Sequence, residues 1–149
     1  MTKFVYKMQN ILDIKFKLEN QAKTSYANAR AKLEEEEEKL RALRAKRTDY
    51  EENYRRVLSD VLDIRELNFC MQGMEQIQEA IKNQIVAIHV AEMNLEAARE
   101  HLQEVMQERK THEKLKEYAF DEYVKEVSAE ESKEIDELVS YNYGKVAGE

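Results

Sequence analysis

Three histidines are the residues of this chain most able to bind a metal, and their spacing argues against a metal site. His89, His101 and His112 are too far apart on one helix to share an ion. His112 and Glu113 resemble the start of the zinc-binding HExxH pattern, but position 116 is a lysine, so the second ligand is missing. We therefore expect no metal, and we expect His112 to be a hydrogen-bonded residue between two helices.

Nucleophiles and carboxylates give no stronger sign of catalysis. The single cysteine, Cys70, has no candidate catalytic partner nearby in the sequence, so we expect it to pack beside a turn. The run Glu34–Glu38 cannot converge on one ion, because successive helical residues point in different directions. It is typical of a solvated helix face, with Lys39 and Arg41 placed to offset part of its charge. Without a glycine-rich phosphate loop, the sequence predicts no cofactor and no enzymatic activity.

The segment Glu108–Glu117, ERKTHEKLKE, concentrates cations in an otherwise acidic chain. It holds Arg109, Lys110, Lys114 and Lys116, while the whole chain has a net charge of −7. Two interpretations are open: a helix surface covered with salt bridges, or a polar docking zone for an acidic partner. The net negative charge argues against nucleic acid as that partner, because phosphate binding needs a basic face.

Composition indicates long helices as the elements that carry these residues. The chain has no proline and only three glycines, and charged residues make up 37% of it. Proline most surely ends a helix, and a charge-rich, proline-free chain is typical of a coiled coil. No apolar stretch is long enough to span a membrane, and the N-terminus lacks the apolar core of a signal peptide. A lone cysteine fits a reducing compartment.

The first helix is predicted over 3–58, with a seam, meaning the line of residues that face a partner helix, that repeats every 3.5 residues. The seam is traced along apolar residues, with Glu36 and Arg47 as charged interruptions after Ala22. It has two successive steps of four around Ala22, which predicts a local phase shift there. Its predicted members are Met8, Ile11, Lys15, Leu18, Ala22, Tyr26, Ala29, Leu33, Glu36, Leu40, Leu43, Arg47, Tyr50, Tyr54 and Val57.

A hinge over 59–63 separates this helix from a second one over 64–138. Asp63 is placed to cap the second helix, and Glu66 completes a capping-box pattern. Gly73 lies inside the helix, at a cost of about 1 kcal/mol against alanine. The second seam is predicted at Leu67, Met74, Ile77, Ile81, Ile85, Ile88, Ala91, Leu95, Ala98, Leu102, Val105, Arg109, His112 and Leu115.

A short hinge makes the two helices antiparallel neighbours, so the sequence predicts an all-α fold, a long antiparallel two-helix coiled coil. We expect one domain over 1–149 and a flexible tail over 139–149. The second helix is longer than the first and overhangs it. Apolar residues continue along the overhang, which indicates a partner there, either another copy or a different protein.

Three segments together resemble one known family, the flagellar type III export protein FliJ. Phe4–Asn20 is similar to the family's aromatic, glutamine and leucine pattern at the N-terminus. Glu108–Tyr123 is similar to its Arg-Lys and Glu-Lys-Leu block with a trailing aromatic residue. Glu134–Ser140 resembles its acidic segment near the C-terminus. The order of these segments, the length and the hinge position match as well.

The resemblance implies a soluble cytoplasmic component, peripheral to the inner face of the cell membrane at the flagellar base. Such proteins form a coiled coil similar to the central stalk of rotary ATPases. The implied partners are the hexameric export ATPase FliI, the cytoplasmic domain of the export gate FlhA, and export chaperones. Direct membrane insertion is not implied. An injectisome ATPase stalk and a generic coiled-coil chaperone or scaffold are the alternatives.

The end of the hairpin that carries both termini is expected to enter the ATPase ring. The candidate ring-contact residues are Phe4, Tyr6, Gln9, Leu12, Lys15, Arg109, Lys110, Lys114, Lys116, Tyr118 and Tyr123. The family's gate-binding stripe corresponds to Ile77, Ala80, Ile81 and Gln84 in this sequence. Gly73 stands where the family has an aromatic residue, and Gln84 also departs from the family's pattern at the polar end of the stripe.

Overall fold

The computed structural model describes residues 3–59, 61 and 63–147, with side chains as far as residue 145. These residues form two helices, α1 (Gln9–Ser59) and α2 (Ile64–Ala147), and no strand occurs among them. The all-α, two-helix prediction is confirmed. Asp60 and Leu62 of the predicted hinge lie outside the described residues, as do Gly148 and Glu149 of the predicted tail.

The helix bounds differ from the predicted ranges at three places, one of them the end of α1, which lies at Ser59 rather than at residue 58. α1 begins at Gln9 rather than at residue 3, because Phe4 is packed against two rings of α2 and the chain turns once before the helix starts. The backbone N–H of Gln9 donates to the carbonyl of Tyr6 at 3.2 Å in that turn. α2 continues to Ala147, past the expected end at residue 138, since no proline interrupts it.

The start of α2 follows the predicted cap. The Asp63 carboxylate accepts a hydrogen bond from the backbone N–H of Arg65 at 3.0 Å. The Asp63 carbonyl accepts the first helical bond, from the N–H of Leu67, also at 3.0 Å. An N-cap carboxylate satisfies amides that have no partner inside the helix, so Asp63 fixes where α2 begins.

The chain divides into two compact units, residues 1–19 with 104–149, and residues 20–103. In the first unit Phe4 contacts Phe120 while Lys15 binds Glu108, so the two helical segments run antiparallel. In the second unit Glu36 binds Gln84 and Tyr50 packs on Gly73, which gives the same direction. Each unit is therefore an antiparallel pair of helical segments.

The α1 seam is a regular heptad pattern without the predicted phase shift. Leu12, Glu19 and Ala22 are buried and Lys15 is half-buried, whereas Ile11 and Leu18 are 38% and 39% exposed. The phase shift is wrong because the prediction took Ile11 in place of Leu12 and Leu18 in place of Glu19. From Ala22 to Val57 every predicted seam residue is buried or half-buried, as expected.

The α2 seam differs from the prediction at two polar positions. Gln84 is half-buried while its neighbour Ile85 is 48% exposed. Lys116 is half-buried while its neighbour Leu115 is 45% exposed. With these two corrections, and with the buried Cys70 added between Leu67 and Met74, the residues that face α1 from Leu67 to Lys116 follow alternating steps of three and four, as a coiled coil requires.

Gly73 has a packing role that its sequence context did not reveal. A Cβ atom added there would overlap Cε1 of Tyr50 and would lie 2.9 Å from Cζ of the same ring. The ring of Tyr50 therefore rests directly on the helix backbone, where only glycine leaves it room. The cost of a glycine inside α2 is offset by this close approach of an aromatic side chain from α1.

Candidate partner-binding site

Arg109 joins the two helical segments of the first unit. Its Nε donates to Glu19 at 2.7 Å and its Nη2 donates to the other oxygen of the same carboxylate at 3.2 Å. Its Nη1 donates to Glu113 at 2.9 Å, and its guanidinium carbon lies 5.9 Å from the centre of the Phe16 ring. The hydrogen bond with Glu19, and then the one with Glu113, raises the pKa of Arg109. Each of the three guanidinium nitrogens therefore donates a hydrogen bond within the protein.

The lysines of the same segment are disposed differently. Lys110 and Lys114 are exposed on the outer side of α2, and among the described side chains neither makes an ion pair. Tyr118 and Leu115, 57% and 45% exposed, lie beside them. We call Lys110, Lys114 and Tyr118 the lysine stripe. A shallow groove of about 270 Å³ runs along it, lined by Gln107, Lys110, Thr111, Lys114, Leu115 and Tyr118.

Aromatic residues form a second surface in this unit. The centroid of the Phe4 ring lies 5.3 Å from that of Phe120, edge to face at 78°, and 5.3 Å from that of Tyr123. Phe120 is 47% exposed. A groove of about 490 Å³ opens next to this cluster, lined chiefly by Phe4, Phe16, Phe120 and Lys116. Edge-to-face rings of this kind stabilise the packing of the N-terminal segment on α2.

The remaining ring-contact candidates lie on or next to α1. Leu12 is a core residue with 2% exposure, so its side chain is not available to a partner. Lys15 donates to Glu108 at 2.8 Å, and Gln9 donates to Asp13 at 2.9 Å. Tyr6 is half-buried, and its hydroxyl has no hydrogen-bond partner among the described residues. The structure therefore brings the predicted set together in one unit but leaves only part of it exposed.

The four gate-contact candidates do not form an exposed stripe. Ile77 and Ile81 are buried between the helices at 8% and 6% exposure, and Ala80 is half-buried. Gln84 donates its side-chain amide to both the carboxylate and the backbone carbonyl of Glu36. A partner that docks along this stretch would first meet the outward residues, among them Met71, which is 52% exposed.

Glu36 is a buried carboxylate and departs from the solvated face expected for the glutamate run. Its amide partner Gln84 and the ammonium of Lys32, 3.0 Å away, lower the pKa of Glu36 to about 2. The other predicted pairs of the run do form, since Arg41 binds Glu38 at 2.6 Å and Lys39 binds Glu35 at 3.4 Å. Glu36 therefore acts as a charged residue that joins the helices of the second unit.

Two residues that matter here, Glu19 and Phe16, were not among the predicted site residues. Glu19 could have been found from its spacing, since it stands four residues after Lys15 and three before Ala22. His112 lies half-buried in the seam as predicted, but its Nδ1 has no hydrogen-bond partner among the described residues. The described part of the chain contains no cluster of side chains able to hold a metal ion.

Antiparallel helices joined by polar cross-helix pairs, with charged and aromatic surfaces in the first unit, define a coiled-coil protein. The chain belongs to the FliJ family: the family model described as Flagellar FliJ protein matches residues 4–148. Family membership makes it a component associated with type III export, and one that is not an enzyme. None of the helices in the described residues is long and apolar enough to cross a membrane.

A solved structure shares this fold. The chain resembles a protein described as a YscO homolog, CT670 from Chlamydia trachomatis, with a TM-score of 0.77 and 23% sequence identity. The match covers 95% of this chain and 96% of the other. At this identity the likeness shows a common fold. Among curated proteins, none matches the chain.

Proposed function

We propose that this protein binds the hexameric export ATPase FliI as a stalk, contacts the cytoplasmic domain of the export gate FlhA, and helps to escort export chaperones. Its place would be the cytoplasmic side of the membrane at the flagellar base. Membership of the FliJ family over residues 4–148 is the observation that supports this proposal most strongly. The flagellar description of that family favours the flagellar machine over an injectisome.

The proposed mechanism depends on contact between the stalk and the subunits of the ring and needs no catalytic residue. A hexameric ring presents six similar sites, whereas a pair of helices has no sixfold symmetry. A stalk seated in the ring must therefore contact its subunits unequally. It then biases their nucleotide states by its different affinity for each conformation.

The lysine stripe and the aromatic cluster are the surfaces we assign to the ring. Lys110 and Lys114 are free of internal ion pairs among the described side chains, so they can meet acidic groups of the ATPase. Lys116 lies at the edge of the groove beside Phe4 and Phe120. Arg109 is not assigned to the contact, because Glu19 and Glu113 occupy it. The gate contact is assigned to the outer face of α2 near residues 77–84.

The test is co-purification with the export ATPase followed by an ATPase assay. A triple variant, Lys110→Glu with Lys114→Glu and Lys116→Glu, should lose stimulation of ATP hydrolysis while far-UV circular dichroism shows unchanged helicity. A control with the same charge change on other exposed cations, Lys46→Glu with Arg55→Glu and Lys82→Glu, should keep it. Equal stimulation by both triple variants would remove the assignment. A wild-type protein that neither binds nor stimulates the ATPase would refute the function itself.

A further inference from the structure

The C-terminal end of α2 carries an apolar face that no part of the described chain covers. Every side chain from Ser128 to Lys145 is exposed. Ile135, Leu138 and Val139 are 60%, 61% and 56% exposed and share one face of the helix, since they stand three and four residues apart. Val124, 46% exposed, lies near this face one turn beyond Phe120. We call residues 124–141 the acidic stripe.

The charge of this stretch is mostly negative. Over residues 124–141 the sequence has six acidic residues and two lysines, Lys125 and Lys133. Among the described side chains of the stretch no ion pair forms, so its negative charge is not neutralised internally. A helix draws most of its stability in a protein from packing of its apolar face, which is absent here.

We propose that the acidic stripe is the docking surface for a partner helix that is basic and amphipathic. The spacing of Ile135, Leu138 and Val139 suits the aliphatic ridge of a helix laid along them. The surrounding carboxylates suit lysine or arginine on both sides of that ridge. The stripe also continues from an existing interface, because Val124 follows Tyr123, which packs on Phe4.

A second copy of this chain is a poorer occupant than a basic helix. Its own C-terminal stretch would bring the same excess of carboxylates, and like charges across an interface oppose association. The proposed site is also separate from the lysine stripe, so it goes beyond the contact with the ATPase ring. Its partner is recognised by positive charge, whereas the lysine stripe suits an acidic segment.

The experiment uses the full-length chain and two synthetic peptides. The cationic probe is an amphipathic helix with leucine and isoleucine on one face and lysines beside them, and the anionic probe has glutamates in place of the lysines. Calorimetry should show that the cationic probe binds at least tenfold more tightly, and that its binding weakens as salt is added. Equal affinity for the two probes, or binding to neither, would overturn the proposal.

Variants then locate the binding. Ile135→Asn with Leu138→Asn should weaken binding of the cationic probe at least tenfold. The matched control, Val86→Asn with Val90→Asn, alters two valines that are 62% and 50% exposed elsewhere on α2 and should leave binding unchanged. If both double variants lose the probe equally, the assignment to the acidic stripe is wrong.

A charge swap guards against variants that merely unfold the helix. Glu131→Lys with Glu134→Lys should raise the affinity for the anionic probe at least threefold, which a loss of helix alone would not do. Self-association is the competing outcome: if sedimentation without any probe gives a dimer that dissociates with Ile135→Asn and Leu138→Asn, a second copy occupies the stripe and the proposal fails. These measurements contain no ATPase, so they stand or fall independently of the ring contact.

Discussion

Replacing Gly73 with alanine should destabilise this protein, although the same change normally stabilises a helix. Gly73 lies inside α2, and its backbone has no positive φ that would require glycine. The added Cβ would overlap Cε1 of Tyr50 and lie 2.9 Å and 3.0 Å from Cζ and Cδ1 of the same ring. Three close contacts with one ring cannot be relieved by moving the end of a flexible chain, so the ring itself must shift.

Two opposing contributions set the magnitude. Alanine gains about 1 kcal/mol over glycine in a helix interior. Forcing an extra carbon into a packed site costs roughly 1–3 kcal/mol. Gly73→Ala should therefore lower the free energy of unfolding by about 1 kcal/mol net. In a Tyr50→Ala background the clash is absent, and the same substitution should raise it by about 1 kcal/mol, a coupling of roughly 2 kcal/mol between the two positions.

Urea unfolding followed by far-UV circular dichroism measures all four members of this double-mutant cycle. Gly144→Ala is the control on the same helix, because nothing lies within 4 Å of a Cβ placed there. That variant should keep or raise the helix content in both backgrounds. A stabilising Gly73→Ala in the presence of Tyr50, or an equal effect with and without Tyr50, would refute the assignment of Gly73 to this contact.

Three further predictions concern the polar and apolar seam. Ile81→Ala should lower the free energy of unfolding by about 2–5 kcal/mol, whereas Ile85→Ala, at a 48% exposed position, should change it by about 0.5 kcal/mol. The pKa of Glu36 is lowered to about 2, so the ionised carboxylate stabilises the fold fully above pH 4.5, and this stabilisation is lost as the pH falls towards 2. Gln84→Leu removes the hydrogen bond to this carboxylate. The variant should therefore lower the urea midpoint near neutral pH, and lower it less at pH 2. Arg109→Ala should lower the urea midpoint and Lys110→Ala should not. Equal midpoints would contradict the role of Arg109 in joining the two helical segments.

Much of the fold follows from sequence period alone. The seam from Ala22 to Val57 needed only the absence of proline and a repeat of 3.5 residues, and the start of α2 needed the capping chemistry of Asp63. The errors at Leu18, Ile85 and Leu115 share one cause, since the seam was traced along apolar side chains, whereas Ile11 was taken in place of Leu12, which is equally apolar. Whether the polar neighbour of an apolar residue lies in the seam depends on the residue that faces it from the other helix. The local sequence of one helix does not contain that information.

The candidate site was predictable in composition but less so in accessibility. The cluster of cations around residues 109–116 is visible in the sequence, yet Arg109 and Lys110 cannot be told apart there. They differ because Arg109 meets Glu19 from the other helix, a contact across 90 residues of chain. Likewise, the spacing of Ile77 and Ile81 is compatible with either a surface patch or a core. Only the packing of the two helices shows that both residues are buried.

The polar pairs explain how a long repetitive seam keeps one alignment. Leucine and alanine layers resemble each other, so they allow two helices to slide by a heptad at little cost. A slide in the first unit would set Arg109 against Leu12 and leave Glu19 without its partner, and a slide in the second would set Gln84 against Ala29 or Leu43. Buried polar groups without partners are costly, and single polar seam residues are known to specify register.

The alignment of the two helices also affects the proposed ring contact, because Glu19 helps to set the position of the aromatic cluster. The Glu19–Arg109 pair fixes which part of α2 lies beside the N-terminal segment, and so holds Phe4 against Phe120 and Tyr123. Glu19→Leu removes the α1 partner of Arg109 and leaves the residues of the lysine stripe and the aromatic cluster unchanged. It should therefore weaken stimulation of the ATPase by loosening the position of Phe4, and Glu19→Asp should restore part of it. If Glu19→Leu stimulates the ATPase as well as the wild type does, register is not what the ionic pair contributes to function.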